Sequence, residues 1–332
     1  MTTPALVNLG STGPRVSALG LGCMSMSGVY GAADDDESIG TVRAALDAGI
    51  TLLDTGDFYG SGHNELLLGR ALSGVPRDQV QLSVKFGGLR DPEGGWGGFD
   101  ARPVAVRNFL AYSLKRLGTD HVDVYRPARL DPAVPIEETV GAIAEQVKAG
   151  RVRYIGLSEV GADTLRRAAA VHPICDVQLE YSLLSRGIEA SVLPAARELG
   201  IGVTAYGVLS RSLISDTADT TFGLGDFRTH APRFQADNLA RNRAVVDRLR
   251  PVADRLGLTV AQLALAWVVA QGSDVVPLIG TKRHDRLTEA LGALDVRLTP
   301  DDLAEIDAAV PPGSAAGGRY AAPQLAHLDS ER

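Results

Sequence analysis

Short apolar runs alternate with segments of helical period from one end of the chain to the other. Val16 to Gly22 reads as a strand, and Asp36 to Ala48 then places Ile39, Val42, Ala45 and Leu46 on one helical face. Ile50 to Leu53 is the next strand and Glu65 to Leu72 the next helix. Val80 to Val84 precedes a helix over Pro103 to Leu117, whose proline suits a first turn. His121 to Tyr125 leads to Ile136 to Lys148, with Gly150 just past the helix as a stop. The alternation continues through Val152 to Leu157 and Asp163 to Ala170, then Asp176 to Glu180 and Ile188 to Leu199. Gly202 to Tyr206 is followed by helical Leu239 to Leu256, and Val275 to Ile279 by Leu287 to Leu294. About eight strand–helix units in this order predict an α/β chain folded as a parallel (β/α)8 TIM barrel. The strands are short and apolar, as expected where helices cover the sheet.

Three parts stand outside the repeat. Leu6 to Pro14, with Gly10-Ser11-Thr12-Gly13 as its turn, predicts an N-terminal β-hairpin ahead of the first barrel strand. Segment 210–237 is too long for an ordinary connection and reads as a functional loop or a partly disordered one. Thr259 to Ala270 is an extra helix, with Leu263, Ala266, Trp267 and Ala270 at helical spacing. No linker divides the chain, so residues 1–332 are expected to form a single domain with a Gly- and Ala-rich tail over 311–332.

Composition narrows the function. The 332 residues, 45% of them hydrophobic, suffice for one large core or two ordinary ones. A net charge of -7 without any Lys/Arg run argues against a nucleic-acid partner. Cys23 and Cys175 form neither a disulfide framework nor a zinc signature. The start, Met1 to Ala5, lacks a signal-peptide pattern, and the apolar stretch Leu258 to Ala270 is too short to span a bilayer. A cytoplasmic protein is expected, and the abundance of Ala, Arg and Gly suggests a bacterial source.

Candidate chemistry lies at strand ends. Asp54 ends the second barrel strand, Tyr59 lies five positions on, and Lys85 ends the third strand. In a parallel barrel these ends share one mouth. A free tyrosine has a pKa near ~10 and is a poor acid at neutral pH. An adjacent ammonium favours the phenolate and so eases proton donation, and a carboxylate can orient that ammonium. Proton transfer at a carbonyl is the chemistry this trio suits.

Further runs carry a resemblance. Leu53-Asp54-Thr55, Tyr59-Gly60-Ser61-Gly62-His63-Asn64-Glu65, Val84-Lys85, Gly156-Leu157-Ser158-Glu159, Val177-Gln178-Leu179-Glu180-Tyr181 and Ile279-Gly280-Thr281-Lys282-Arg283 occur in this order on these predicted elements. Together they resemble the aldo-keto reductase superfamily over nearly the whole chain. The resemblance implies a barrel capped at its bottom by the hairpin, moving hydride between NADP(H) and a small-molecule carbonyl or alcohol. It implies Tyr59 as proton donor, Lys85 as the residue that lowers its pKa, and Asp54 as the support of Lys85. It also implies a histidine at the end of strand four, where Asp123-Val124-Tyr125-Arg126-Pro127-Ala128-Arg129 places Ala128 instead. Slower turnover of ordinary aldehydes follows, with a water, Arg126, Arg129 or a loop group orienting the substrate oxygen.

The same resemblance implies Ser158 and Gln178 on the nicotinamide carboxamide, Glu159 where relatives often have Asn, and Tyr206 stacked on the ring. Gly280, Thr281, Lys282 and Arg286 open the helix after strand eight, a helix start that suits an anion, with Glu289 placed for the adenine amine. Lys282 and Arg286 are placed for a 2′-phosphate, which favours NADP over NAD. No Gly-x-Gly-x-x-Gly follows a strand, so a Rossmann site is unsupported. Cys23, Met24, Phe58, Phe86, Trp96, Arg126 and Ala128 are expected to border the substrate pocket, and Phe222 to Phe234, with Arg228, His230 and Arg233, to close over substrate or cofactor. Two alternatives stand beside the carbonyl reductase: a cofactor-binding regulatory or structural subunit, and a reductase of a conjugated C=C bond. Monomer and homo-oligomer are both open.

Overall fold

The computed structural model describes residues 3–215, 221–223 and 225–331; residues 216–220 and 224 of the long 210–237 segment lie outside them. Strands β1 (Leu6–Asn8) and β2 (Arg15–Ser17) pair antiparallel, with Val7 opposite Val16. Their turn sits against the start of two barrel strands. Gly10 has φ +71°, and a Cβ there would lie 2.2 Å from the Cys175 carbonyl oxygen, so only glycine fits.

The apolar run read as one strand, Val16 to Gly22, is two. Arg15–Ser17 belongs to the hairpin, and barrel strand β3 is only Gly20–Gly22. Ser17 makes the corner: its hydroxyl donates to the Leu19 carbonyl at 2.7 Å and accepts from the Thr51 N–H at 3.0 Å. A hydroxyl that satisfies the backbone locally releases it from the ladder.

The chain then runs α1 (Asp35–Asp47), β4 (Leu52–Gly56), α2 (His63–Ala71), β5 (Gln81–Phe86), β6 (Gly88–Arg90), β7 (Trp96–Phe99), α3 (Pro103–Leu117), β8 (Val122–Pro127) and α4 (Ile136–Lys148). It continues β9 (Val152–Ser158), α5 (Ala162–Ala169), β10 (Ile174–Glu180), α6 (Val192–Glu198), β11 (Gly202–Tyr206), α7 (Ala236–Asp247), α8 (Arg250–Leu256), α9 (Val260–Val269), β12 (Val275–Gly280), α10 (His284–Gly292), α11 (Pro300–Ala309) and α12 (Ala322–Leu325). Strands β3, β4, β5, β8, β9, β10, β11 and β12 close into a parallel barrel in that order, β12 pairing with β3. The expected (β/α)8 TIM barrel with an N-terminal hairpin and extra helices is the observed fold. Register sets Gly56 beside Lys85, Lys85 beside Arg126, Gln178 beside Ser158 and Glu180 beside Tyr206. The C-terminal ends of these strands therefore form one rim.

Local chemistry fixes the helix ends. Asp34 caps α1 by accepting from the Glu37 N–H, and Thr259 with Gln262 forms a capping box on α9. A second capping box, Thr299 with Asp302 around Pro300, opens α11, a helix the apolar periodicity did not show. The expected helix Leu239 to Leu256 is broken into α7 and α8, because Pro251 has no N–H to continue the ladder. The hairpin β6–β7 was also not foreseen, and its glycines carry no apolar pattern. The core between barrel and helices includes fully buried Trp267, Tyr125, Tyr181 and Phe86. Among the described residues, no single helix is long and apolar enough to cross a membrane.

Candidate active site

The barrel interior carries a polar column rather than an apolar filling. Lys85 on β5 donates to the Asp54 carboxylate on β4. The other Asp54 oxygen accepts from Ser83 and from the Gln178 amide, each at 2.8 Å. Ser83 in turn accepts from Arg126 at 2.9 Å, and Arg126 pairs with Asp176 at 2.9 Å and reaches Thr204 at 3.2 Å. Arg126 and Asp176 are completely shielded from solvent. Gly156 makes room for them: a Cβ there would meet the Asp176 carboxylate at 2.6 Å and the Arg126 guanidinium at 3.1 Å.

Tyr59 begins a 3-10 turn just beyond β4, with the Lys85 ammonium 5.1 Å from its ring centroid. The expected trio of Asp54, Tyr59 and Lys85 is therefore brought together at the rim. Burial first, then the Asp54 carboxylate, pushes the Tyr59 phenol well above its ordinary pKa, while the Arg129 cation opposes them. The phenol is held protonated. Burial pulls the Lys85 ammonium down, and Asp54 opposes that. Two residues before Tyr59, the buried Asp57 carboxyl is pushed up to about 8 by burial and by Glu65. It is a titrating neighbour that no motif signalled.

Around the phenol the mouth is aromatic and cationic. Phe58 lies edge-on to Tyr59 at 4.9 Å and 5.6 Å from Trp96, which β7 delivers. Met24, half-buried, starts the turn after β3. Beyond β9, β10 and β11 sits a network from the tail: Arg319 grips Glu159 at 2.5 Å, Glu180 at 3.5 Å and Glu331 at 2.6 Å. Arg211 pairs with Glu180 at 3.0 Å and Arg233 with the same carboxylate at 3.6 Å. Tyr320 joins its hydroxyl to that of Tyr206 at 3.0 Å. The tail expected to be loop thus builds one side of the site. Sequence reading missed Arg319, Tyr320, Arg211 and Tyr30, because their partners lie far away in the chain.

Four candidate residues are placed differently from expectation. Phe86 does not face the pocket: strand alternation turns it outward, stacked on Tyr125 at 4.4 Å. Arg126 points inward but lies within the barrel, paired to Asp176, rather than at the substrate level. Cys23 is fully buried, its thiol directed at the Leu21 carbonyl and pushed far up by burial, so it is neither pocket surface nor nucleophile. Glu159 is engaged by the protein: both oxygens are taken by Arg319, with Tyr206, Ser330 and the Glu180 N–H completing the set. Its carboxyl is held down to about 2; the Arg319 cation and its hydrogen bonds outweigh burial, the largest single influence and one that acts upward. Ala128 is buried at the rim, its N–H donating to the Phe86 carbonyl at 2.8 Å.

The residues expected to hold a cofactor lie at the C-terminal ends of β9 to β12 and at the start of α10. Ser158, at the end of β9, is buried with its hydroxyl oxygen unpartnered among the described residues. Gln178 and Tyr206 end the next two strands. At the far end, Thr281 bonds the backbone of Arg283, and the Lys282 ammonium rests on the carbonyls of Ala32 and Gly31. Gly280 is exposed there, and Arg286 pairs with Glu289 at 2.9 Å. From the 222–234 stretch, Phe227 donates to the Val29 carbonyl at 3.0 Å and Arg228 lies 5.6 Å from the Tyr30 ring. That segment already crosses toward the loop after β3.

Comparison with known proteins finds relatives over nearly the whole chain. The chain is 44% identical over 324 residues, 95% of its length and 91% of the relative's, to a probable aldo-keto reductase 1 of Glycine max. It superposes on the structure of a glycerol dehydrogenase from Gluconobacter oxydans with a TM-score of 0.83, at 28% identity, covering 94% of this chain and 98% of that one. The holo form of an aldo-keto reductase from Bacillus halodurans gives 0.75 at 27% identity, covering 92% and 96%. The Aldo/keto reductase family model matches residues 18–311, and with the barrel and its rim in place, the chain belongs to that family of oxidoreductases.

Proposed function

We propose that the protein reduces an aldehyde or ketone to an alcohol with NADPH, Tyr59 giving the proton. The observation that carries this is the buried Lys85–Asp54 pair set against the Tyr59 ring at the barrel mouth. A phenol kept protonated by burial is available to donate to a carbonyl oxygen. As the oxygen takes that proton, the Lys85 ammonium 5.1 Å from the ring offsets the phenolate charge, and Asp54 keeps that ammonium in place. Ser83 and Gln178 hold Asp54 in turn. Bound NADPH would supply the hydride to the carbonyl carbon.

The residues present suit that cofactor. The unpartnered buried Ser158 hydroxyl supports a carboxamide contact, with Gln178 beside it and the Tyr206 ring as the stacking face. Lys282 and Arg286 support a 2′-phosphate, with Gly280 and Thr281 at the approach and Glu289 near the adenine. Glu159 is left out of this set, because Arg319 holds it. The Ala128 methyl group cannot donate a hydrogen bond, so turnover of simple aldehydes is slow and Ala128→His raises it. The decisive measurement is NADPH oxidation over a carbonyl panel, with Tyr59→Phe alongside. Loss of kcat by about 10²- to 10⁴-fold with NADPH affinity retained supports the reading, and unchanged turnover in the variant rejects it.

A further inference from the structure

Among the described residues, the arginines of the mouth network outnumber its glutamates. Arg211, Arg233 and Arg319 all find glutamates, shared among Glu159, Glu180 and Glu331. Arg129 is different. It is half-buried just past β8, and among the described residues no carboxylate comes within ion-pair distance of it. Its guanidinium donates to the Ala128 carbonyl at 2.6 Å and, at 3.5 Å, to the Tyr320 hydroxyl. Two of an arginine's five N–H donors are thereby used, and the others have no hydrogen-bond partner among the described residues. Three guanidinium groups surround the Tyr320 ring, Arg211 at 4.5 Å, Arg319 at 5.5 Å and Arg129 at 6.0 Å.

A partly desolvated guanidinium with no carboxylate at ion-pair distance among the described residues is suited to an incoming oxyanion, which it can grip with two parallel hydrogen bonds. Arg129 directly follows Ala128, the buried rim position whose methyl group can offer a substrate oxygen no hydrogen bond. We propose that Arg129, steadied by Tyr320, binds an anionic group carried by the substrate close to its carbonyl, either a carboxylate or a phosphate. The substrates are then anionic carbonyl compounds such as 2-oxo acids or phosphorylated ketoses rather than plain aldehydes. This deepens the carbonyl-reductase reading and rests on it for the reaction, while the anion site rests on Arg129 alone.

Two charged and uncharged pairs separate the sources of charge: pyruvate against methyl pyruvate, and dihydroxyacetone phosphate against dihydroxyacetone. The intact chain should favour the anion in one pair at least, by 10-fold or more in kcat/KM. Arg129→Gln should erase that preference, and Arg129→Lys should restore part of it, since charge returns without the fork. Calorimetric titration with oxamate, a carboxylate that is not reduced, supplies a readout independent of turnover. Its affinity should fall at least 10-fold in Arg129→Gln, with circular dichroism confirming that the variant is folded. If the Gln variant does not fold, weakened oxamate binding in Arg129→Lys takes its place. Absence of any preference in the intact chain, or a preference and an oxamate affinity that survive loss of Arg129, overturns the proposal. Absence of turnover with every carbonyl, together with Arg129-dependent oxamate binding, rejects the reductase reading and leaves the anion site standing.

Discussion

Inside the barrel, Lys85 and Arg126 face Asp54 and Asp176, and each cation has its own carboxylate on a neighbouring or facing strand. At the mouth, among the described residues, Arg129, Arg211, Arg233 and Arg319 gather near Glu159, Glu180 and Glu331. The interior is balanced and sealed, held by rigid strands whose register sets every distance. The mouth is assembled from loops and the tail, and among the described residues of this network the arginines outnumber the glutamates. A closed network holds Lys85 beside Tyr59, the proposed proton donor, whereas an open one leaves a cation for something arriving from solvent. The difference shows how one barrel keeps its chemistry fixed while its recognition surface varies.

The largest effect should come from breaking the interior balance. Asp176→Leu strands the Arg126 charge in a site with no solvent access, and removal of one partner of a buried pair costs about 3–5 kcal/mol. Urea unfolding of this variant should show a loss of that size. Replacing both groups, Arg126→Met with Asp176→Leu, should recover most of it, because an apolar pair needs no counter-charge. If the double variant were as unstable as the single one, the column would be held by its hydrogen bonds to Ser83 and Thr204 rather than by charge balance.

The barrel was legible because period-2 and period-3.6 segments alternate, and the trio because Asp54, Tyr59 and Lys85 end or follow adjacent strands. Which way a rim residue points was less legible. Lys85 turns in and Phe86 turns out, and Arg126 turns in below the level at which Ala128 sits, so one residue of register moves a side chain from pocket to core. The mouth network left no local trace at all. Arg319 and Glu159 are 160 positions apart, and a Gly- and Ala-rich tail without periodicity does not announce that it docks. Long-range ion pairs depend on where the fold delivers two loops, which pattern reading does not compute.

A smaller effect is expected from titrating the mouth. The Glu159 carboxyl sits at about 2 in the folded chain, below its unfolded value near ~4.3. A depressed carboxyl adds stability that is complete above the unfolded pKa and disappears as pH falls through the folded one. The contribution is up to roughly 3 kcal/mol at neutral pH, lost between about pH 4.5 and 2. Denaturation at pH 5.5 and pH 3 should show the drop in the intact chain. Glu159→Gln should be weaker already at pH 5.5 and lose less on acidification. Parallel losses in both proteins would place the acid sensitivity elsewhere and weaken the contrast with the interior.

The smallest effect concerns the hydroxyl bridge between tail and barrel. Tyr320→Phe removes the contact to Tyr206 at 3.0 Å and the long one to Arg129 at 3.5 Å, but keeps the ring among its guanidinium neighbours. A single hydrogen bond of this kind contributes about 0.5–1.5 kcal/mol, and the half-buried setting favours the low end. A double-mutant cycle with Tyr206→Phe isolates the bridge from each residue's other contacts, such as that of Tyr206 with Glu159 at 2.8 Å. The coupling should be below about 1 kcal/mol, well under that of Arg126 with Asp176 measured the same way. Equal couplings would mean that the mouth is as tightly held as the interior. A tail so held would not yield to an arriving substrate, and the positive charge at Arg129 would then be a fixed feature of the wall, reached only by ligands small enough to pass it.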